Sequence, residues 1–309
     1  MREKVTVVGS GFVGTMVAQR IAEKRLADCV LLDIVEGIPQ GKALDIIQSA
    51  SLEGFDCVVT GTNDPALMAG SRIVVVTAGF PRTPGMSRDD LAAKNGAVVT
   101  SVVDNIRTYA PQSIIIMVTN PLDVMTHLAL VRSGFPAARV MGMGGVLDTA
   151  RYTAFLAREL GVSIKDVNAL VLGSHGDSMV PVESCTTVKG IPIDHFIKKE
   201  RREEIIERTR QGGAEIVNLL KTGSAWHAPS ASTTVMVEAI LADSKRLVPV
   251  SAFVQGEYGI DQTYIGVPVI LGASGVEKIC EIPLAEEELT ALRRSAAVSR
   301  AAFNTLNRS

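Results

Sequence analysis

Val5-Thr-Val-Val-Gly9-Ser-Gly11-Phe-Val-Gly14-Thr-Met-Val-Ala18 decides the fold of this 309-residue chain. A β-branched run stops at a glycine, and two more glycines complete a G-x-G-x-x-G pattern. Apolar residues then recur at helical spacing (Val13, Val17, Ile21). Gly9 permits the tight turn from strand to helix. Gly11 lets the backbone approach a pyrophosphate with no Cβ in the way, and Gly14 lets the helix pack close to the strand. The diphosphate then sits where free N–H groups and the positive end of the helix dipole point. Alone, the pattern is better explained by a plain glycine turn. The next strand, Asp28-Cys-Val-Leu-Leu-Asp33, tips the balance, because it ends in an acid nineteen residues past Gly14. A carboxylate there accepts both ribose hydroxyls of the adenosine half of a dinucleotide. Asp33-Ile-Val-Glu36 contains no Arg or Lys to hold a 2′-phosphate, so the expected cofactor is NAD rather than NADP.

The length suffices for one large core or two coupled domains. A net charge of −2 offers no basic field for nucleic acid or an anionic membrane, so neither partner is expected. The densest basic run, Lys198-Lys-Glu-Arg-Arg202, is interrupted by Glu200 and followed by Glu203 and Glu204, as in a solvated helix start. Cys29, Cys57, Cys185 and Cys280 lie far apart, with neither a C-x-x-C nor a neighbouring His. They support neither a zinc site nor a disulfide framework, and buried thiols in a reducing compartment are expected. Only Val5 to Val8 are apolar before Gly9, too few for a signal peptide, and runs such as Ile114–Val118 are far shorter than a membrane span. The expectation is a soluble, cytoplasmic protein.

From residue 1 to about 120 the apolar period switches repeatedly between strand and helix. Gly37 and Pro39 break the chain after Asp33. Gly41–Ala50 then reads as a helix with Ala43, Leu44 and Ile47 on one face. Strands are expected at Phe55–Thr60, Arg72–Thr77 and Ile114–Val118, with a short helix at Asn63–Ala69 and a long one from Asp89 to Tyr109. Continuous apolar strands separated by helices imply right-handed crossovers and a parallel sheet covered on both faces. The expected fold class is α/β, a Rossmann doubly wound parallel sheet followed by an α+β substrate domain. Its division is 1–144 for NAD binding and 145–309 for catalysis. In the second half, helices are expected at Val146–Leu160, Glu203–Leu220, His227–Asp243 and Leu284–Leu306. Strands are expected at Val167–Leu172 and Met179–Val182, and an antiparallel pair at Leu247–Val254 and Tyr264–Leu271.

Ligands belong at the carboxyl ends of the parallel strands, here Gly9, Asp33, Thr77 and Asn120. Beyond Thr77 lies Ala78-Gly-Phe-Pro-Arg82-Thr-Pro-Gly-Met-Ser-Arg88, a breaker-rich loop of the kind that covers a site, with two arginines six residues apart. An enzyme also needs an acid/base group near the nicotinamide. His175, in Gly173-Ser-His-Gly-Asp177, leaves an apolar strand with small neighbours and can point into a cleft. His127, His195 and His227 have no comparable setting. Asp148 and Arg151, three apart on an expected helix, share one face. Each of these residues alone is more often structural; together with Arg82 and Arg88 they form a set.

The set resembles the NAD-dependent malate dehydrogenases of the lactate-dehydrogenase-like group in the lactate/malate dehydrogenase superfamily. The matching segments span the chain: Val7–Gly14, Pro81–Arg88, Val118–Pro121, Leu147–Arg151 and Gly173–Asp177. The resemblance implies that His175 exchanges a proton with the substrate's oxygen while Asp148 orients its imidazole. It implies that Arg151 grips the C1 carboxylate and that Arg88 polarises the carbonyl as the loop closes. Asn120 would hydrogen-bond the substrate oxygen and the nicotinamide ribose. The implied NAD contacts are Gly9, Gly11, Phe12, Val13, Gly14, Asp33, Asn95, Thr119 and Asn120; Ser224, in Thr222-Gly-Ser-Ala-Trp226, would lie near the nicotinamide. Malate enzymes of this family carry Arg where Arg82 stands, and lactate enzymes carry Gln. Charge agrees with that division, since oxaloacetate brings a second carboxylate that a closed site must neutralise, whereas pyruvate offers only a methyl group. The expected reaction is interconversion of malate and oxaloacetate with NAD, by a homo-oligomer that is a tetramer rather than a dimer. The alternatives are a lactate (2-hydroxy acid) dehydrogenase that tolerates Arg82 and a catalytically retired NAD-binding sensor.

Overall fold

The computed structural model describes residues 2–81 and 88–307, without the side chains of Arg88 and Asp89, and the elements below are counted over those residues. The first half alternates strand and helix: β1 (Lys4–Val8), α1 (Phe12–Glu23), β2 (Asp28–Leu32), α2 (Ile38–Glu53), β3 (Val59–Thr62), β4 (Ile73–Val76), α3 (Arg88–Tyr109), β5 (Ile114–Met117), α4 (Leu122–Ser133) and β6 (Val140–Gly142). The second half begins with α5 (Gly145–Leu160). It continues through β7 (Val167–Asn168), β8 (Val171–Gly173), β9 (Met179–Pro181), β10 (Thr187–Val188), β11 (Ile191–Pro192), α6 (Lys199–Leu220) and α7 (His227–Leu241). It ends with β12 (Arg246–Gln255), β13 (Asp261–Gly272), β14 (Gly275–Ile279) and α8 (Glu286–Leu306).

Strands β1 to β6 are parallel in the order 3-2-1-4-5-6, the doubly wound arrangement whose ligand crevice opens beyond the carboxyl ends. The sheet does not stop there. β12 joins β6 antiparallel through Ser251 and Gly142, and β13, β8 and β9 continue it. The expected antiparallel pair of long strands is β12 with β13.

Alternation along β4 explains its unbroken apolar run. Ile73 and Val75 face the layer that holds Val17 and Ile21 of α1, while Val74 and Val76 face Val99, Val103 and Ile106 of α3. The first layer also contains Val237 of α7 and Val250 of β12, so both halves of the chain share one core. Arg20 donates to the Ser230 hydroxyl at 3.2 Å and Lys24 pairs with Glu238 at 3.0 Å, fastening α1 to α7. A third cluster, around Tyr152, Leu156 and Ile205, joins α5 to α6.

Several expectations shift. Pro39 does not break the chain but sits in the first turn of α2, where its missing N–H has no partner to lose. The buried face of α2 is Pro39, Ala43 and Ile46, so Leu44 and Ile47 point to solvent instead of sharing Ala43's face. Phe55 and Cys57 are buried, but the β3 ladder begins only at Val59. The expected strand at Val167–Leu172 divides into β7 and β8, which belong to different sheets. Cys29 and Cys57 are buried free thiols, and burial pushes the Cys29 thiol up to about 12. His127 lies against the Phe303 ring at 3.6 Å, and burial lowers its pKa to about 4, as for a neutral core histidine. Among the described residues, no helix is long and apolar enough to cross a membrane.

Candidate active site

The glycine turn is built by close approach. Gly9 takes φ +102° and donates its N–H to the Leu32 carbonyl at 2.8 Å, while the Thr77 hydroxyl donates to the Gly9 carbonyl at 3.0 Å. A Cβ on Gly14 would fall 1.9 Å from that same carbonyl, so only glycine lets α1 start here. At Gly11 a Cβ would meet nothing within 4 Å, and no side chain caps the helix. The first N–H groups of α1 are therefore left without a side-chain cap, as anion binding requires. Asp33 is fixed beside them, its two oxygens accepting from the Ser10 N–H at 2.6 Å and the Val35 N–H at 3.0 Å. The buried Ser10 hydroxyl has no hydrogen-bond partner among the described residues. An uncapped helix start, an open cradle and an anchored carboxylate are what a dinucleotide's diphosphate and adenosine ribose need, so these residues fit NAD.

Phe12, on the exposed start of α1, stacks on Trp226 with ring centroids 5.0 Å apart, and Val13 is half-buried against the core. Lys42 reaches back from α2 to the Ser10 carbonyl, with its Nζ 5.8 Å from the Phe12 ring. Spacing alone gives no sign of this cation at the turn. Asn95 of α3 clamps the neighbouring strand ends. Its Oδ1 accepts from the Phe80 N–H at 2.8 Å, and its Nδ2 donates to the Asn120 carbonyl at 2.6 Å. The Thr119 hydroxyl donates to the Ala78 carbonyl at 2.7 Å. Both side chains are thus engaged in holding the crevice's edge. Asn120 precedes Pro121 through a cis peptide bond, and α4 starts immediately after.

Across the crevice, His175 follows β8 and Asp148 and Arg151 lie on α5. His175 Nδ1 is 2.8 Å from Asp148 Oδ2, and Arg151 Nη1 is 3.5 Å from Asp148 Oδ1. Asp148 is only 2% exposed, against 14% for His175 and 13% for Arg151. A carboxylate this buried, between two cationic groups, assigns the proton to Nδ1 and leaves Nε2 for a reactant. Burial is the strongest influence on His175 and pulls its pKa down. The charge and hydrogen bond of Asp148 act against it, and the net result lies above the ordinary histidine value. Arg151 is pulled below its usual range by burial, which Asp148 partly opposes. Its Nε has no partner among the described residues, so the guanidinium retains donors for an anion.

The structure therefore brings together His175, Asp148 and Arg151, and separately Gly9, Gly11, Phe12, Val13, Gly14 and Asp33. Asn95, Thr119 and Asn120 gather at the carboxyl ends of β4 and β5. Arg82 lies outside the described residues, and Arg88 is described only as the first backbone residue of α3. Ser224 is exposed in the turn between α6 and α7.

Sequence reasoning missed three supports. Asp123 is buried and bonded to the turn that carries His175; an acid in the apolar run after Pro121 was the available signal. Gly212 and Gly213 interrupt α6, a costly placement in a helix. A Cβ on Gly212 would stand 3.3 Å from Arg151 Cδ, so Gly212 gives the arginine side chain room, while one on Gly213 would meet its guanidinium only at ordinary contact distance, 3.7 Å. Gly144 does the same for His175, whose Cβ lies 3.3 Å from where its own would be.

Residues 3–142 match the family described as lactate/malate dehydrogenase, NAD binding domain, and residues 145–307 match lactate/malate dehydrogenase, alpha/beta C-terminal domain. The chain belongs to the lactate/malate dehydrogenase family. A malate dehydrogenase from Roseiflexus sp. (strain RS-1) is 55% identical over 296 residues, 96% of each chain. The solved malate dehydrogenase of Cryptosporidium parvum matches with TM-score 0.98 at 40% identity, covering 100% of both chains. The lactate dehydrogenase of the same organism, complexed with lactic acid and the nicotinamide cofactor, matches with TM-score 0.97 at 42% identity, covering 100% of this chain and 99% of that one. This lactate/malate dehydrogenase is an NAD-dependent oxidoreductase with its NAD-binding domain in the first half. Its backbone is shared by proteins named for two different substrates, so side chains must choose between them.

Proposed function

We propose that this lactate/malate dehydrogenase interconverts malate and oxaloacetate, with His175 as the acid/base. The buried trio of His175, Asp148 and Arg151 carries the chemical reading. The choice of diacid rests on Arg82, which gives the loop a second guanidinium. NAD, when bound, accepts or supplies the hydride. Asp148 keeps the proton on Nδ1 and stabilises the charged imidazole. His175 Nε2 gives its proton to the carbonyl oxygen of oxaloacetate, and takes it back from the malate hydroxyl in the opposite direction. Arg151 holds the C1 carboxylate with its planar fork, Arg82 neutralises the distal one, and Arg88 polarises the carbonyl where negative charge develops. Asn120 bonds the substrate oxygen and the nicotinamide ribose. Gly9, Gly11, Phe12, Val13, Gly14, Asp33, Asn95 and Thr119 hold the cofactor, with Ser224 near the nicotinamide. Residues 1–144 form the NAD-binding unit and 145–309 the catalytic unit.

Loss of NADH absorbance on adding oxaloacetate, and its recovery with malate and NAD, tests the assignment. Binding of NADH with turnover of neither acid contradicts it and revives the sensor reading. We further infer that it works in the cytoplasm, at the malate step of the tricarboxylic acid cycle, since that step is the reaction proposed here.

Two surfaces support a homo-oligomer. Ile38, Leu44 and Ile47 of α2 are 44%, 57% and 42% exposed. An apolar groove of about 660 Å³ opens between α5, α7 and β12, lined by Val146, Ala150, Val235 and Leu247. Surfaces of this kind are commonly covered by association. Sedimentation is expected to give the mass of a tetramer; a monomer at micromolar concentration contradicts this.

A further inference from the structure

We propose that Asp123 is a positioning residue for His175: it anchors the turn that carries the histidine and supplies a second negative charge that keeps the proton on the imidazole. This inference rests on the acid/base role proposed above.

Asp123 lies in the first turn of α4 and is 3% exposed. Its Oδ2 accepts from the Ser174 hydroxyl at 2.6 Å and from the His175 backbone N–H at 2.9 Å, and its Oδ1 accepts from the Ser251 hydroxyl at 2.6 Å. One carboxylate thus ties α4 to β12 and to the turn after β8. All three partners donate, which suits the ionised form, and the helix start places positive dipole beside it. Burial pushes the Asp123 pKa up, and the three hydrogen bonds and His175 oppose that push only in part, so the carboxyl stays above the ordinary aspartate value.

Anchoring alone does not need a charge. An Asn would accept from the same turn without the cost of burying an ion. What the charge adds is balance. The charged groups acting most strongly on the imidazole are Asp148 and Arg151 of α5 and Asp123 of α4. With His175 protonated, the cluster holds two cations and two anions and is neutral. Without the charge on Asp123 it would carry a surplus positive charge, and the proton would leave more easily.

The test is Asp123→Asn, read in two ways. NMR titration of the His175 ring, assigned with His175→Gln, needs neither substrate nor cofactor. The alkaline limb of kcat/KM for oxaloacetate reduction reports the same proton during turnover. Both midpoints are expected to fall by about one pH unit. Ser251→Ala removes a hydrogen bond but no charge, and is expected to lower Tm while leaving both midpoints in place. Unmoved midpoints in Asp123→Asn, or an equal shift in Ser251→Ala, would overturn the proposal. If Asp123→Asn does not fold, carbon NMR of the native carboxylate decides. Asp123 must be ionised throughout the range in which His175 titrates, and a protonated Asp123 there refutes the idea. Failure of oxaloacetate turnover in the native protein leaves the NMR arm intact, so the two readings fail separately.

Discussion

His175→Gln lowers kcat for oxaloacetate reduction by about a thousandfold, within the usual span of about 10²–10⁴ for a general acid or base, while the Kd for NADH stays unchanged. The split follows from the layout. The Nδ1 proton is committed to Asp148 at 2.8 Å, so Nε2 is the ring atom left to exchange a proton with substrate. The glycine turn and Asp33 belong to other elements, so cofactor affinity does not depend on His175. Glutamine keeps a polar side chain but cannot deliver a proton. pH adds a second signature. Reduction needs charged His175, whose pKa lies above the ordinary histidine value, so its rate falls as pH rises through that raised value. Oxidation of malate needs the neutral ring and falls as pH drops through the same value. Stopped-flow kinetics and NADH fluorescence titration measure both parts. A variant retaining native kcat would remove His175 from the chemistry.

Arg82→Gln lowers kcat/KM for oxaloacetate by about two to three orders of magnitude and raises that for pyruvate. A carboxylate closed into a dry site without a partner costs about 3–5 kcal/mol, and about 1.4 kcal/mol corresponds to tenfold. On the proposed reading pyruvate meets the opposite problem in the native protein, because its methyl group would leave the guanidinium unpaired. Glutamine removes that charge. Steady-state kinetics on both acids measure the exchange, and a variant that keeps the native ratio would show that residue 82 does not read the substrate.

Much of this architecture is legible from residues alone because burial on both faces leaves a plain mark. Ile73–Val76 and Ile114–Met117 are apolar without interruption since alternate side chains enter opposite layers. The histidine, aspartate and arginine of the trio stand in short segments whose small or helical neighbours set them apart as a group, and the structure brings the three together. Other features leave no such mark. Val140–Gly142 has too few residues to display a period, yet it connects the two halves of the sheet. Leu44 and Ile47 are apolar and exposed, and periodicity cannot separate a face turned to the core from one turned outward. Phe55 and Cys57 keep the inward alternation of a strand, so their pattern extends beyond the ladder that starts at Val59. Asp123, Lys42 and the Gly212–Gly213 pair act on residues 30 or more positions away, and only the folded chain brings those partners into reach.

The most direct test is the ratio of kcat/KM for oxaloacetate to that for pyruvate in the native protein with NADH. The proposed pairing of a buried imidazolium with one guanidinium for each carboxylate predicts a preference for oxaloacetate of at least about a hundredfold. Equal efficiency on the two acids, or a preference for pyruvate, would contradict the account.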